Sequence, residues 1–199
     1  SNTAMTVYDK ISPNPTYTSV VECVKQAKDF GADFVIGIGG GSALDAAKAV
    51  SLLLKGVDIL SATGEGVPLS GILTLSGSGS EVTPYAILNL PNGTKRSVAG
   101  KTFLKTCIID NSLQSAIPTL YRYSLVADIL AHCIESFLSA KTTERSQQAS
   151  LAGVKLLYKP NEPIESIDSV HASVIGGAAI TVAGTSVPHG LGYYMTTHH

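Results

Sequence analysis

Charged residues are scarce in this sequence. Only 15% of its 199 residues are Asp, Glu, Lys or Arg, whereas roughly a quarter is typical of globular proteins. The formal net charge is −1 and the two signs are mixed along the chain. No basic face is therefore available to a nucleic acid, and nucleic acid is not expected as a partner. With 44% apolar residues, the composition predicts that many of the residues are buried, in the protein's own core or against a partner.

Cysteine is also scarce. The sequence has three cysteines, which are far apart and include no CxxC pair: Cys23, Cys107 and Cys133. The cysteines therefore indicate neither a disulfide framework nor a zinc site built from thiolates. A reducing, cytoplasmic location is the expectation that follows.

The longest stretch without charge covers residues 169–197, which contain no Asp, Glu, Lys or Arg. A membrane-spanning helix needs about 20 predominantly apolar residues. This stretch instead contains Pro188, two histidines, several glycines and many hydroxyl side chains. We expect no membrane span here, and predict a buried helix in close contact with its neighbours.

The first part of the chain has the pattern of an α/β protein. A helical periodicity ends at Gly31, and a short apolar run at 34–38 is typical of a buried parallel strand. Further strands are predicted at 71–75 and 106–110. Between them, the turn at 91–93 predicts a hairpin, because Pro-Asn-Gly separates two strand-like runs.

Helical periodicity replaces strand patterns after Pro118. Helices are predicted through residues 125–136, over 144–157 and from about Ser166 onward. The sequence therefore predicts an α/β fold of two domains. Residues 1–117 would form a Rossmann-like nucleotide-binding domain with a parallel sheet and a hairpin, and residues 118–199 an all-helical domain.

A glycine turn lies between the first predicted strand and the next helix. Residues 39–42 are Gly-Gly-Gly-Ser, and glycines at a helix N-terminus let backbone N–H groups approach a phosphate. Ser42 is predicted to be the helix N-cap, with Asp45 completing a weak capping box. The spacing differs from the G-x-G-x-x-G pattern. A tight turn with no ligand is the alternative.

A second small-residue loop, Ser-Gly-Ser-Gly-Ser, occupies residues 76–80. Such composition is common in flexible linkers. A predicted strand enters this loop, however, and another follows shortly after it. This position favours a loop shaped around a ligand over a linker.

Asp128 and His132 are four residues apart on a predicted helix, so both face the same side. Such a pair can bind one divalent cation, or it can be a simple hydrogen-bonded pair. Glu135, one turn further on, is either a supporting group or a surface charge. His189 lies in the charge-free stretch and is either a ligand or a buried core histidine that needs a polar partner.

Four segments, in this order, resemble signatures of the iron-containing alcohol dehydrogenase family, the group III, metal-dependent class. Residues 33–48 look like its pyrophosphate-binding segment, and 77–83 like its second cofactor loop, with Ser78 where Thr is usual. Residues 127–136 are similar to the helix that gives the first two metal ligands. Residues 184–189 look like the segment of the third ligand.

The resemblance implies a role for individual residues. The implied metal ligands are Asp128, His132 and His189, for Fe²⁺ or Zn²⁺, and no catalytic residue beyond the ligands is implied. The implied cofactor is NAD or NADP. The residues implied to bind it are Gly39, Gly40, Gly41, Ser42, Asp45, Thr74, Ser78, Ser80, Thr83 and Lys95.

The resemblance covers nearly the whole chain but only about half of a family member, so truncation at both ends is expected. The family's fourth ligand falls just past His199. An alternative alignment makes His199 that ligand, but it places Thr185 at the third position and breaks the match around Gly184. His198 and His199 are either native residues or part of a polyhistidine tag.

The implied activity is hydride transfer between NAD(P) and a small alcohol or aldehyde, with the metal polarising the substrate oxygen. A homodimer is also implied. One alternative is an NAD- and metal-dependent lyase similar to dehydroquinate synthase, although the additional Lys and Arg residues needed for a phosphorylated acidic substrate are not evident. The other alternative is a nucleotide-binding fragment without turnover.

Overall fold

The computed structural model describes residues 3–60, 64–99, 102–114, 117–161 and 164–198. Strands and helices alternate in its first part. These elements are α1 (Tyr17–Phe30), β1 (Val35–Gly39), α2 (Gly41–Leu54), β2 (Leu69–Leu73), β3 (Tyr85–Asn89), β4 (Lys95–Ala99) and β5 (Thr106–Ile109). A 3₁₀ turn, Asn111–Gln114, leads into four helices: α3 (Thr119–Leu138), α4 (Glu144–Leu157), α5 (Ser166–Ala183) and α6 (Val187–His198).

The strands form a parallel sheet and a separate hairpin. The sheet has the order β1-β2-β5, with both pairs parallel, and β3 pairs with β4 antiparallel. The predicted fold class, a parallel sheet plus a hairpin followed by helices, is confirmed. Since the described strands precede residue 110 and α3 to α6 follow Pro118, this order supports the division at residue 118, which stays a proposal.

Local signals explain where α1 begins and ends. The Thr16 side chain accepts a hydrogen bond from the Ser19 backbone N–H, and Gly31 ends the helix in the left-handed conformation. Val20 and Val24 on one face are buried. They pack with the small side chains of α2 and with the hairpin in the core of the α/β part.

The predicted capping box at the start of α2 is wrong. Gly40 is the N-cap, no side chain caps the helix, and Ser42 lies within its first turn. The Ser42 hydroxyl instead accepts a hydrogen bond from the Asn14 backbone N–H. The Asp45 carboxylate turns toward the hairpin and away from the helix end, because Ser80 and the Ile87 N–H bind it there.

Among the described residues, helix α2 covers one face of the sheet, and the isoleucines on the other face are exposed. A Cβ at Gly37 would lie 2.8 Å from the Ala47 Cβ, so α2 packs directly on this face. On the other face, Ile36, Ile38 and Ile108 are 53%, 62% and 56% exposed. The prediction of a buried strand β1 therefore holds for one side of the sheet and is wrong for the other.

Helices α3, α4 and α5 pack around the buried Cys133. A Cβ at Gly153 on α4 would lie 2.6 Å from the Cys133 Sγ, and one at Gly176 on α5 would lie 3.2 Å from it. Small residues thus let three helices approach one thiol. This contact centres the helical core.

The charge-free stretch behaves differently in its two helices. Helix α5 is largely buried, as predicted, but α6 exposes Val187, Leu191 and Met195, so the prediction of burial is wrong there. In the described part of the chain, no single helix is long and apolar enough to cross a membrane. The segments Ile167–Ala183 and Val187–Thr196 meet those criteria only as a pair, with a 102° bend between them.

Candidate active site

A cleft of about 440 Å³ lies where the end of β1, the hairpin and the helical part meet. Its walls come from α2, the loop after β2, the hairpin, α3 and α6. The lining residues are Asn14, Pro15, Gly41, Ser42, Asp45, Ser78, Ser80, Thr83, Tyr85, Ile87, Lys95, Ser97, Asp128, His132, Ile180, Gly184, Thr185, His189 and Tyr193.

The glycine turn brings two loops into contact at one end of this cleft. A Cβ at Gly41 would lie 2.4 Å from the Ser78 Oγ and 2.8 Å from the Ser78 Cβ. Only glycine at position 41 lets the second loop pass so close. Gly41 and Ser42, in the first turn of α2, line this end of the cleft. No side chain caps the helix, and a helix N-terminus carries a positive partial charge.

The loop at residues 76–83 is a built part of the fold and does not have the features of a linker. Ser76, Ser80 and Glu81 are at most 4% exposed. Ser173 on α5 accepts a hydrogen bond from the Gly77 N–H and donates one to Glu81 Oε1. The loop therefore joins the sheet to the helical part.

A buried polar network fixes the floor of the cleft. Lys48 Nζ donates to the Ser80 carbonyl, the Ser80 hydroxyl and the Tyr85 carbonyl at 2.7–2.8 Å. The Ser80 hydroxyl donates to Asp45 Oδ1 at 2.6 Å. Burial lowers the pKa of Lys48 to about 8 and raises the pKa of Asp45. The Ser80 hydroxyl is thus already engaged by the protein.

Asp128, His132 and His189 converge in the same cleft. His132 Nε2 lies 3.7 Å and His189 Nε2 3.4 Å from Asp128 Oδ1. The two imidazole rings stack with their centroids 4.7 Å apart. One ligand atom from each residue lies within 4.8 Å of the others, which is close enough for the three to share one ion.

The two histidines differ electrostatically. Burial lowers the pKa of His132, which favours its neutral form. Hydrogen bonding to Asp128, and then to Glu135, raises the pKa of His189 in spite of its burial. An imidazole must be neutral to bind a metal, so a cation has to compete with a proton chiefly at His189.

Glu135 is a supporting group, not a surface charge. It is 4% exposed, and its Oε1 lies 2.6 Å from His189 Nδ1. Its Oε2 accepts hydrogen bonds from the backbone N–H and the hydroxyl of Ser186. Burial would raise the pKa of Glu135, but these hydrogen bonds outweigh it and lower the pKa.

Lys95 connects the hairpin to α6 across the mouth of the cleft. Its Nζ donates to Asn14 Oδ1 at 2.7 Å and to Thr196 Oγ1 at 3.4 Å. The ammonium group also lies 5.3 Å from the centroid of the Tyr193 ring. Asn14 in turn has a left-handed backbone, with φ of 54°.

Most of the predicted site residues in the described part of the chain line the cleft, and three do not. Gly39 and Gly40 form the turn behind it, and Thr74 donates its backbone N–H to the Gly39 carbonyl in the same region. His199 lies outside the described residues. The predicted residues that line the cleft are Gly41, Ser42, Asp45, Ser78, Ser80, Thr83, Lys95, Asp128, His132 and His189.

Sequence reasoning missed Asn14 and Tyr193 and left Glu135 undecided. Asn14 lies in the Pro13–Pro15 turn, a signal for a fixed backbone but not for a place in the cleft. Tyr193 is one helical turn after His189, so it shares a face with a predicted ligand. That spacing is the signal that could have identified it.

Comparison with known proteins agrees with this architecture. The sequence profile of the family described as iron-containing alcohol dehydrogenase matches residues 1–111. A long-chain-alcohol dehydrogenase from Geobacillus thermodenitrificans is 30% identical, over 94% of this chain and 52% of its own length. A 1-propanol dehydrogenase from Citrobacter freundii is 28% identical, over 96% of this chain and 53% of its own length.

Solved structures give the same result. An iron-containing alcohol dehydrogenase from Thermotoga maritima superposes with a TM-score of 0.88 at 31% identity, covering 96% of this chain and 56% of its own. Sulfoacetaldehyde reductase from Bifidobacterium kashiwanohense, solved in complex with NAD⁺, has a TM-score of 0.86 at 29% identity, covering 98% and 57%. The chain belongs to the iron-containing alcohol dehydrogenase family, which confirms the resemblance. It spans about half the length of the curated relatives it matches.

Proposed function

We propose that the chain forms the cofactor- and metal-binding core of an NAD(P)-dependent, metal-dependent alcohol dehydrogenase that interconverts a small alcohol and its aldehyde or ketone. One observation carries this proposal. The Asp128–His132–His189 cluster and the α2 N-terminus with its glycine turn open into the same cleft. A hydride donor or acceptor held at one end would therefore lie close to a polarising cation at the other.

The donor set of the cluster fits a divalent cation such as Fe²⁺ or Zn²⁺. It offers one carboxylate oxygen and two imidazole nitrogens, and three protein ligands leave a coordination position open for substrate. When bound, the cation would supply Lewis-acid polarisation of an alcohol or carbonyl oxygen. Asp128 would bring the negative charge, and His132 and His189, whose rings stack on each other, would each bring one imidazole nitrogen.

The other end of the cleft fits a dinucleotide. The first turn of α2 provides backbone N–H groups for a diphosphate, and Gly41 leaves room beside Ser78 that a side chain would fill. Ser78, Thr83 and Lys95 would line the nicotinamide side. Ser80 and Asp45 hold the floor through their bonds to Lys48 and Ile87. The nicotinamide would supply hydride transfer when bound.

The relatives support this class of substrate. Their names include a long-chain-alcohol dehydrogenase, a 1-propanol dehydrogenase and a sulfoacetaldehyde reductase. The NAD⁺ complex of a related reductase favours a nicotinamide cofactor. The homodimer stays a prediction, which sedimentation velocity would test. A cytoplasmic location also stays a prediction, supported by three free thiols.

The test is metal-dependent turnover by the 199-residue chain. The protein is loaded with Fe²⁺ or Zn²⁺, mixed with NAD⁺ or NADP⁺ and a panel of short alcohols, and followed by nicotinamide absorbance. We expect reduction of the cofactor that disappears in Asp128→Ala and persists in His171→Ala. His171 is an exposed histidine on α5 outside the cluster, so its variant is the matched control.

Two other outcomes would overturn the proposal. Binding of metal and NAD(P) by calorimetry without turnover of any alcohol would identify a nucleotide-binding fragment. Consumption of a phosphorylated acidic substrate with no net change in nicotinamide absorbance would identify a lyase similar to dehydroquinate synthase.

A further inference from the structure

Helix α6 carries His189, yet little apolar packing holds it in place. Val187, Leu191, Tyr194 and Met195 are 58–69% exposed, and a Cβ at Gly190 or Gly192 would contact nothing within 4 Å. Polar contacts hold the helix at both of its ends. Lys95 holds the C-terminal end, and Glu135 holds the N-terminal end.

We infer that Glu135 is a positioning residue, which selects the tautomer of His189 and so aims the His189 Nε2 lone pair into the Asp128–His132–His189 cluster. This inference rests on the proposed function, because it assumes that His189 binds a metal through Nε2. It adds a residue that touches neither metal nor substrate.

The hydrogen-bond pattern determines the tautomer. Glu135 Oε2 is occupied as an acceptor, because the backbone N–H of Ser186 can only donate. Glu135 Oε1 has no proton to offer and lies 2.6 Å from His189 Nδ1. The ring also faces Asp128, but Nε2 lies 3.4 Å from Asp128 Oδ1 whereas Nδ1 lies 2.6 Å from Glu135 Oε1. In a neutral imidazole the shorter contact favours the proton on Nδ1, which leaves Nε2 as the bare nitrogen.

The direction of the ring follows from the same contact. With Nδ1 held by Glu135, Nε2 points toward Asp128 Oδ1 at 3.4 Å, on the side of His132. His132 has no equivalent support, since its buried Nδ1 has no hydrogen-bond partner among the described residues. Metal-binding histidines commonly donate their second N–H to a carboxylate, and this contact raises the basicity of the ligand.

The substitution Glu135→Gln tests this inference without changing the size of the side chain. The Ser186 N–H requires an acceptor, so the oxygen of the new amide should face Ser186 and its NH₂ group should face His189. An NH₂ group can only donate, so Nδ1 would become the acceptor and the proton would move to Nε2. The variant should fold but present the wrong nitrogen to a cation.

The first readout is the tautomer in the metal-free protein. Nitrogen-15 chemical shifts of His189, recorded at a pH where the ring is neutral, should show Nδ1–H in the wild type and Nε2–H in Glu135→Gln. A merely structural role for Glu135 would not exchange the two tautomers. Because no metal is added, this measurement remains decisive for Glu135 even if the metal site itself fails.

The second readout is Zn²⁺ affinity by competition with a chelator. We expect a loss of about 10- to 100-fold in Glu135→Gln, the range typical of second-sphere carboxylates. Ser186→Ala, which keeps the backbone N–H, should lose far less, and NAD(P) affinity should be unchanged in both variants.

An unchanged tautomer, or Zn²⁺ affinity within about twofold of the wild type, would overturn the role of Glu135, since second-sphere carboxylates usually contribute more. A wild type that shows the Nδ1–H tautomer but binds no Zn²⁺ would overturn the proposed metal site and leave the positioning contact standing.

Discussion

Gly79 and Gly177 lie backbone against backbone, and this contact joins the cofactor loop to the helical part of the molecule. A Cβ at Gly79 would lie 2.7 Å from the Gly177 Cα, and one at Gly177 would lie 2.9 Å from the Gly79 Cα. Gly79 also has a φ of 68°, which strains any other residue. Because neither residue has a side chain, the cofactor loop and helix α5 can approach each other this closely.

Gly177→Ala should destabilise the protein by about 1–3 kcal/mol, the usual range for overpacking at a site that cannot yield. The backbone of Gly79 and the Val82 side chain are the neighbours that would have to move. Urea unfolding gives the free energy. Gly192→Ala is the matched control, since it also lies in a helix but faces open space. It should be neutral or more stable by up to about 1 kcal/mol.

Gly41→Ala should weaken NAD(P) binding more than it weakens the fold. The new Cβ would overlap with both side-chain atoms of Ser78, so the second loop must retreat from the α2 N-terminus. Calorimetry should show at least a roughly tenfold loss of affinity for NAD(P), because the α2 N–H groups lose their alignment with the diphosphate. Ser78→Gly in the same chain removes the overlapping atoms and should restore part of that affinity. Equal losses in the single and double variants would contradict this account.

Lys95→Met should loosen α6 without a large loss of global stability. The substitution keeps the apolar stem but removes the donors to Asn14 and Thr196 and the charge over the Tyr193 ring. Because Lys95 is partly exposed, the unfolding free energy should change by less than about 1 kcal/mol. Amide hydrogen exchange within α6 should nevertheless accelerate. Lys25→Met, at an exposed position on α1, should leave the exchange of α6 unchanged.

The periodic elements could be predicted because their signals are local. Helix α4 occupies the predicted range 144–157, with Thr143 as its cap, and the hairpin turns at the predicted Pro-Asn-Gly. The capping box at Ser42 failed because Asp45 has stronger partners in Ser80 and Ile87. Those partners are distant in sequence, so a local pattern could not reveal them.

The candidate site was only partly predictable for the same reason. Asp128 and His132 share a helix face by spacing alone, and the sequence indicates them as a pair. The proximity of His189 depends on α6 folding back over α3, which no spacing encodes. Its contact with Glu135 depends on that same arrangement, so the sequence left the glutamate as either a support or a surface charge.

The pH dependence of stability should reveal the buried Lys48. Burial lowers its native pKa from 10.5 to about 8, so between these values the unfolded chain holds a proton that the native protein lacks. Unfolding free energy should therefore gain a contribution that rises with pH over this range, by up to about 1.4 kcal/mol per unit. The contribution is at its most unfavourable below pH 8, where Lys48 is charged in both states.

Two cysteine thiols, the partly buried Cys107 and the buried Cys133, act in the opposite direction, and the measurement has to separate them from Lys48. Burial raises the native pKa of Cys107 and Cys133 to about 11, so these groups reduce stability above the ordinary thiol pKa of 9.0. Comparing the wild type with Lys48→Met cancels the effect of Cys133, whose pKa is shifted by burial alone. The Lys48 charge also lowers the pKa of Cys107, so both proteins should carry Cys107→Ser in this comparison. The stability of the wild type relative to the variant should increase from about pH 8 to 10.

Carbon-13 NMR of the Lys48 Cε gives the pKa directly, without reliance on how well the variant folds. We expect a titration midpoint near pH 8. A midpoint close to the ordinary lysine pKa of 10.5 would contradict the structure, because it would show that the Lys48 ammonium group is not buried.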